Sequence, residues 1–244
     1  MNSSQIKLIR SLKRKKNRII HNSFIVESHK NVIELLNSNY EIREVFATSE
    51  WIEKNQPNFD IVIQKANIKD LNRVSNLTNI SDVLAIAKMP EIKKNLDFRE
   101  INIALDGIQD PGNLGTIIRT CDWFGVKSVF CSLETVDFFN PKVIQSSMGS
   151  FTRVNVMYTD LNELIKNNSN DIKIYSTVLN AKNLDLVNID DSYKSLIIFG
   201  NESHGVSSSL LELANNQISV KRLGKANSLN VASSCAIVLH KFCS

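Results

Sequence analysis

Three polar strings in the second half of the chain carry side chains suited to holding and orienting a polar ligand. They are LDGIQDPGNLGTIIRT (Leu105 to Thr120), IIFGNESHGVSSSLLELA (Ile197 to Ala214) and the start of SLNVASSCAIVLHKFC (Ser228 to Cys243). Asn113, Asn230, Ser228 and Glu202 supply amides, a hydroxyl and a carboxylate, and Arg119 supplies a permanent cation able to hold a phosphate. None of the eight glycines precedes Gly107. Glycine suits backbone that turns left-handed or lies close to a ligand, so the small-molecule chemistry belongs in this half. Neither GxGxxG nor GxxxxGK[ST] occurs, which argues against a nicotinamide oxidoreductase and a P-loop enzyme. His204 and Cys121 have no partner at a spacing that would make a nucleophile and base, and neither is a candidate.

The elements that must position these residues are legible from periodicity. From Gln5 to about Lys88 the reading is a helix at Gln5 to Lys16, a strand at Phe24 to Val26, a helix at Lys30 to Asn37 and a strand at Ile42 to Ala47. A short helix near Trp51 follows, then a strand at Asp60 to Ile63, a helix at Ile68 to Leu77 and a strand at Val83 to Ala87. The string MPEIKKNLDFRE (Met89 to Glu100) reads as a linker, giving domains at 1–90 and 101–244 joined by 91–100. The alternation then restarts with INIALD (Ile101 to Asp106), a Gly/Pro/Asn loop and a helix over Thr116 to Phe124, in which Trp123 and Phe124 read as core. Strands fit Ser128 to Phe130, Val154 to Met157, Ile172 to Thr177, Ser195 to Phe199 and Gln217 to Val220. Such alternation predicts an α/β fold with a mainly parallel sheet, whose ligands bind beyond the carboxyl ends of the strands. Ser228 reads as the N-cap of a final helix that is apolar on most of its circumference. That helix is covered either by its own domain or by a second subunit.

Composition bounds the rest. At 244 residues with 43% hydrophobic content the chain has material for two cores. No stretch approaches the roughly 18 apolar residues of a membrane span, and the first residues lack a signal peptide's apolar run, so a cytoplasmic protein is expected. The cysteines Cys121, Cys131, Cys235 and Cys243 form no CxxC pair and no metal-ligand spacing with histidine, so free thiols and no metal are expected. The net charge is only +4, yet Lys7, Arg10, Lys13, Arg14, Lys15, Lys16 and Arg18 all precede the first acidic residue, Glu27. Such a run either binds a polyanion or forms a solvated helix face, and composition leaves both open.

Taken in order, LDGIQDPGNLGTIIRTCDWFGV, IIFGNESHGVS and SLNVASSCAIVL resemble the SpoU (TrmH-like) family of RNA ribose 2′-O-methyltransferases, within the trefoil-knotted SPOUT class. The resemblance spans about Ile101 to Phe242. It implies a knotted domain using S-adenosylmethionine, with Asn113, Arg119, Glu202, Ser228 and Asn230 as catalytic positions. It further implies that Thr177, Gly200, Val220 and Leu229 hold the cofactor, largely through backbone groups. On that footing Arg119 acts as base or as a clamp on phosphate and hydroxyl, Glu202 fixes Arg119 by a charge-assisted pair, and Asn113 bonds protein and ribose. Lys221 stands where relatives often have proline, and with Arg222 and Lys225 it extends a basic rim.

The N-terminal part resembles the small ribosomal-protein-like α/β/α module fused ahead of such domains, on the strength of FIVES (Phe24 to Ser28) and element order. This makes the basic run an RNA-binding one. The implied protein is a homodimeric RNA methyltransferase, with 23S ribosomal RNA favoured over transfer RNA. The rival reading is a non-catalytic RNA-binding or ribosome-assembly factor on the same scaffold.

Overall fold

The computed structural model describes residues 1–55, 61–77, 81–91, 98–189 and 193–243. The expected linker at 91–100 lies mostly outside them. The chain divides into two compact units, one of Met1–Glu91 with Asp137–Thr152 and one of Ile92–Val136 with Arg153–Ser244.

In the first unit α1 (Ser3–Ser11) and α2 (Lys15–His21) occupy the stretch where the sequence suggests one helix. The break has a physical cause. Arg18 turns back to donate from its guanidinium to the carbonyls of Leu12 and Lys13 at 2.8 and 2.9 Å, so those groups need no helical partner. The strands β1 (Ser23–Glu27), β2 (Ile42–Ala47), β3 (Ile63–Lys65) and β4 (Val83–Lys88) form a sheet in the order β1-β4-β2-β3. The β1–β4 and β4–β2 pairs are antiparallel and β2–β3 is parallel. The helices α3 (His29–Leu36), α4 (Ser49–Asn55) and α5 (Ile68–Val74) alternate with these strands. Helix α5 stops short of the expected Leu77 because Glu27 draws Ser75 and Asn76 away. Its carboxylate accepts from the Ser75 hydroxyl at 2.5 Å and from the Asn76 backbone at 3.0 Å. The apolar faces of α1 and α5 meet the sheet in a core that includes Ile9, Leu12, Phe46, Leu71 and Ile86.

The second unit opens with β5 (Ile101–Asp106), α6 (Pro111–Trp123) and β6 (Ser128–Cys131). The chain then lends Asp137–Thr152, including α7 (Pro141–Ser147), to the first unit, although the sequence alone assigns it to the 101–244 domain. Aromatic packing accounts for this. Phe24 meets Phe139 with ring centroids 4.7 Å apart and Phe151 at 6.2 Å, while Tyr40 lies edge-on to Phe151 at 5.9 Å. Then follow β7 (Asn155–Tyr158), α8 (Leu161–Asn168), β8 (Ile172–Asn183), β9 (Lys194–Gly200), α9 (Ser208–Leu213), β10 (Asn216–Ser219) and α10 (Val231–Phe242).

The sheet runs β10-β8-β9-β5-β6-β7 and each of its pairs is parallel. Strand order reverses between β9 and β5, so the loops after these two strands diverge at the carboxyl edge and leave a crevice. One face buries Phe130, Ile174 and Ile198 against Leu164 of α8 and Leu210 of α9. The other face is covered by α6 and α10, with Tyr175 edge-on to Phe242 at 4.9 Å. The final helix is therefore covered mainly by its own domain. It buries Val231, Cys235, Val238, Leu239 and Phe242, and leaves Ser233, Ile237 and His240 outside.

Candidate active site

The string after β5 is a helix start rather than the loop expected from its glycines. Asp110 caps α6 by accepting from the Asn113 backbone at 2.9 Å, and Pro111 occupies the first turn, where its missing N–H is no loss. Gly115 is buried within α6. Left-handed backbone falls instead at Gly107, φ +68°, whose N–H donates to the Ser132 hydroxyl at 2.9 Å. The helical start fixes where Asn113 points, because its main chain is pinned by the cap.

The string after β9 folds back on itself. Asn201 and Gly205 exchange backbone hydrogen bonds of 3.0 and 2.8 Å, and a Cβ on Gly200 would overlap the backbone of Gly205 and Val206. Asn201 then ties this loop to the first: its Nδ2 donates to the Gly107 carbonyl at 2.7 Å while its Oδ1 accepts from Ser203 N–H at 2.8 Å. Asp106 accepts from Ser207 N–H at 2.8 Å, a second tie across 101 residues of sequence. Sequence reasoning missed Asn201, Asp106 and Ser132. Asn201 adjoins the recognised Gly200 and Glu202, but nothing in one dimension marks the loop that Asp106 and Ser132 would meet.

The three strings converge on one hydrogen-bonded row. Asn230, not Ser228, is the N-cap of α10; its Oδ1 accepts from the N–H groups of Ala232 and Ser233 at 3.0 and 3.3 Å. With its oxygen committed, its Nδ2 donates to Asn113 Oδ1 at 2.9 Å. That leaves Asn113 Nδ2 to donate to Glu202 Oε1 at 2.5 Å. The polarity of the row is set at the helix cap and passes through both amides to the carboxylate. Ser228 lies exposed upstream of the cap with no hydrogen bond among the described residues.

Arg119 does not pair with Glu202. It is exposed on α6 and makes no ion pair or hydrogen bond among the described residues, while the Glu202 carboxylate is engaged by Asn113. Six residues along a helix rotate the side chain by about 240°, so Arg119 and Asn113 leave α6 in different directions. Trp123, one turn beyond Arg119, is 85% exposed and Phe124 is half-buried; neither belongs to the core as the sequence suggests.

Three of the four expected cofactor positions, Thr177, Val220 and Leu229, border one irregular region. The β8–β10 ladder pairs Ser176 with Gln217 and then Lys182 with Ile218, so residues 177–181 leave the ladder, with Asn180 at φ +61°. Thr177 stands where the ladder opens and donates to the Ile198 carbonyl at 2.9 Å. The adjacent Ser176 hydroxyl is fully buried without a partner among the described residues. From Lys221 to Leu229 the backbone forms no backbone–backbone hydrogen bond among the described residues, and Leu223 is 88% exposed. Apart from the Ala226 carbonyl, which accepts from the Arg222 guanidinium at 3.5 Å, the N–H and C=O groups of this run, with exposed Leu223 and Leu229, match the needs of a nucleoside with a flat apolar face and a hydrogen-bonding edge. This donor set fits S-adenosylmethionine. Gly200 itself answers to the fold of its loop.

Among the basic residues at the N-terminus, Lys7, Arg10, Lys13, Arg14, Lys15 and Lys16 are exposed. Arg10 and Lys13 donate to the carbonyls of Arg73 and Ser75, each at 3.0 Å. Arg18 is only 3% exposed, paired with Asp137 at 2.5 Å and committed to two carbonyls, which removes it from any RNA-binding surface. No group of His, Cys, Asp and Glu among the described residues could hold a metal, and no described helix is long and apolar enough to cross a membrane.

Comparison with known proteins agrees with this layout. Residues 100–240 match the model of the SpoU rRNA methylase family, and residues 3–85 match that of the MRM3-like substrate-binding domain. The chain is 30% identical over 239 residues to the 23S rRNA (guanosine(2553)-2′-O)-methyltransferase RlmP of Bacillus subtilis, covering 98% of this chain and 95% of that one. Among solved structures, a TrmH-family protein from Porphyromonas gingivalis superposes with TM-score 0.89 at 28% identity, over 99% of this chain and 98% of that one. An AdoMet-bound rRNA methyltransferase from Sinorhizobium meliloti does so with TM-score 0.85 at 26% identity, over 98% and 94%.

Proposed function

The chain belongs to the SpoU rRNA methylase family, and we propose that it transfers the methyl group of S-adenosylmethionine to a ribose 2′-hydroxyl of 23S ribosomal RNA. The observation that carries this reading is the Asn230–Asn113–Glu202 row, which joins the three family strings at the carboxyl edge of the parallel sheet. The relative that acts on 23S rRNA matches through both units of the chain, which favours ribosomal over transfer RNA.

S-adenosylmethionine, when bound, supplies a methyl group on a sulfonium whose departure needs no acid. The backbone of residues 221–229, with Thr177 and Val220 at its edge, holds it. The chain's own task is then to align the ribose oxygen and help it lose a proton. Asn113 has both amide ends committed within the row, so it acts as the rigid element that fixes Glu202 and the start of α10. Arg119 has no internal partner among the described residues, and its planar fork of N–H donors suits a phosphate, so it binds the phosphate beside the target ribose and polarises the hydroxyl. The proton passes to that phosphate or to water. Lys7, Arg14, Lys15 and Lys16 hold the RNA farther along its backbone.

The functional unit is a homodimer. Trp123 on α6 and Ile237 on α10, 85% and 42% exposed on two helices that pack together, give a paired apolar surface suited to a second copy. Light scattering of a Trp123→Glu variant is expected to show monomer where the wild type shows dimer.

Mapping of alkali-resistant ribose linkages in rRNA and tRNA, with and without the gene, tests the reaction and substrate. One site lost from 23S rRNA is expected, restored by the wild-type enzyme and not by Arg119→Ala. Loss of a tRNA site would transfer the assignment to tRNA. No lost site, together with no transfer by the purified protein, would favour the non-catalytic factor.

A further inference from the structure

Helix α2 presents a surface that the methyl-transfer site does not use. Ile19 and Ile20 are 62% and 64% exposed, side by side, in the stretch Lys15–His21. Positions advance about 100° per residue around a helix, so Lys15 and Ile19 form one ridge and Lys16 and Ile20 the adjoining one. Arg18 is carried to the far side, where it is buried and paired with Asp137. The helix is held by that far side and by its ends. Arg18 donates to the Leu12 and Lys13 carbonyls, Asn17 Nδ2 to the Ser11 carbonyl at 2.9 Å, and the Arg43 guanidinium to the His21 carbonyl at 2.8 Å. These ties fix the frame on which the two isoleucines stand exposed.

Single exposed apolar residues are ordinary on a protein surface, but an adjoining pair set among cations narrows what can cover it. Lys13 and Arg14 lead into α2, Lys15 and Lys16 lie on it and Arg43 touches its last turn, all exposed. No acidic residue precedes Glu27. Two copies of this surface would repel each other, which argues against self-association through it. Two isoleucines on a helix of 7 residues offer too little apolar area to hold a membrane. An RNA duplex would satisfy the cations but not the isoleucines, because its base faces are stacked out of reach. Unpaired nucleotides satisfy both, with phosphates for the cations and bare base faces for the apolar side chains. Isoleucine is among the side chains that nucleic-acid-binding proteins wedge between bases.

We infer that α2 docks on an unpaired segment of the substrate RNA, with Ile19 and Ile20 packed against base faces and Lys15, Lys16 and Arg43 on the flanking phosphates. This rests on RNA being the substrate, as read above, and adds the kind of RNA structure that the first unit selects. Phosphate contacts are indifferent to strandedness, so the isoleucines supply the preference. Every base has a face to offer them, so the selection is for an open strand and not for a sequence.

The test titrates the full-length protein against two end-labelled probes, a hairpin RNA whose unpaired loop carries 2-aminopurine and a fully paired duplex of the same length. 2-Aminopurine brightens when its neighbours unstack, so wild type should raise the loop signal and bind the hairpin more tightly than the duplex. Ile19→Ala/Ile20→Ala should weaken hairpin binding by about 10-fold, suppress the rise in signal and leave duplex binding within about twofold of wild type. Its salt slope and melting temperature should not move, because no charge and no buried contact is removed. Ile19→Leu/Ile20→Leu, which keeps the apolar area, should retain hairpin binding. Lys15→Ala/Lys16→Ala, by contrast, should weaken both probes and flatten the salt slope.

Unchanged hairpin affinity in the alanine variant, or an equal loss on hairpin and duplex, would overturn the inference. So would a lower oligomeric mass of that variant, which would make the isoleucines a contact between copies. Binding of anionic vesicles that the same variant loses would overturn it too and give the surface to a membrane. None of these results touches methyl transfer. Selective hairpin binding by a protein that transfers no methyl group would uphold this inference and overturn the methyl-transfer reading.

Discussion

Asn230 Nδ2 donates to Asn113 Oδ1 at 2.9 Å, and this bond determines which end of the Asn113 amide faces Glu202. The direction originates at the α10 cap, where Asn230 Oδ1 already accepts two backbone N–H groups. Aspartate caps helices about as well as asparagine, so Asn230→Asp preserves the cap within about 0.5 kcal/mol. It removes the donor, however, and sets a carboxylate against Asn113 Oδ1. The Asn113 amide must then turn over, and Glu202 faces an oxygen in place of a donor. Methyl transfer is expected to fall on the order of 10²-fold at unchanged melting temperature. Equal activity in the variant would detach the row from catalysis.

Gly200 is required by shape. A Cβ there would overlap the main chain of Gly205 and Val206, which has no flexible end to give way. Gly200→Ala should cost about 1–3 kcal/mol in urea unfolding. Because the displaced loop carries Asn201 and Glu202, S-adenosylmethionine binding measured by calorimetry should weaken as well. Stability lost without any change in binding would show that the cofactor does not depend on this loop.

The basic N-terminus divides by burial into two classes. Arg18→Ala deletes the partner of Asp137 and strands the Leu12 and Lys13 carbonyls, and should destabilise the first unit by about 3 kcal/mol. Lys15→Ala with Lys16→Ala touches only exposed side chains and should leave the unfolding midpoint in place. The double variant should bind RNA less tightly, and its log–log salt dependence should be shallower by about 0.7 for each RNA phosphate that is no longer neutralised. An unchanged salt slope would make that run a solvated face.

The parallel sheet was legible because strands such as Ile101–Asp106 are largely apolar runs bounded by polar turns, and the ends of that strand and of Ile42–Ala47 in the first unit's mixed sheet both fall where the pattern places them. Asn113, Glu202 and Asn230 were legible as residues, but their mutual bonds were not, since they join positions 89 and 117 residues apart. Two misreadings share one cause. Pro and Gly after Asp110 look like a loop, and Ser228 looks like a cap, because local propensity is indifferent to which of several suitable residues the tertiary structure selects. The burial of Arg18 and the exposure of Trp123 run against residue type altogether. The first follows from an aspartate 119 residues away, while Trp123 stands 85% exposed as the last residue of α6.

The thiols respond to pH in a defined direction. The hydrogen bond between Cys121 and Cys235, with burial, holds the Cys121 thiol well above the ordinary cysteine range, and burial pushes Cys131 up likewise. Both therefore remain protonated and inaccessible in the folded protein, whereas Cys243 is exposed. Partial burial raises the Cys243 thiol as well, yet it alone of the four is exposed, so a disulfide reagent should label it first in the native protein and all four in urea. In the unfolded chain cysteine loses its proton near pH 8.5, while in the folded chain these two keep theirs, so above that pH the folded state binds more protons. Stability is thus undiminished by these groups below about pH 8.5 and declines as pH rises beyond it. The urea midpoint should be lower at pH 9.5 than at pH 7.5, and replacing Cys131 by alanine should reduce that difference. A midpoint independent of pH across this interval, or rapid native labelling of more than one thiol, would contradict the packing of α6 against α10.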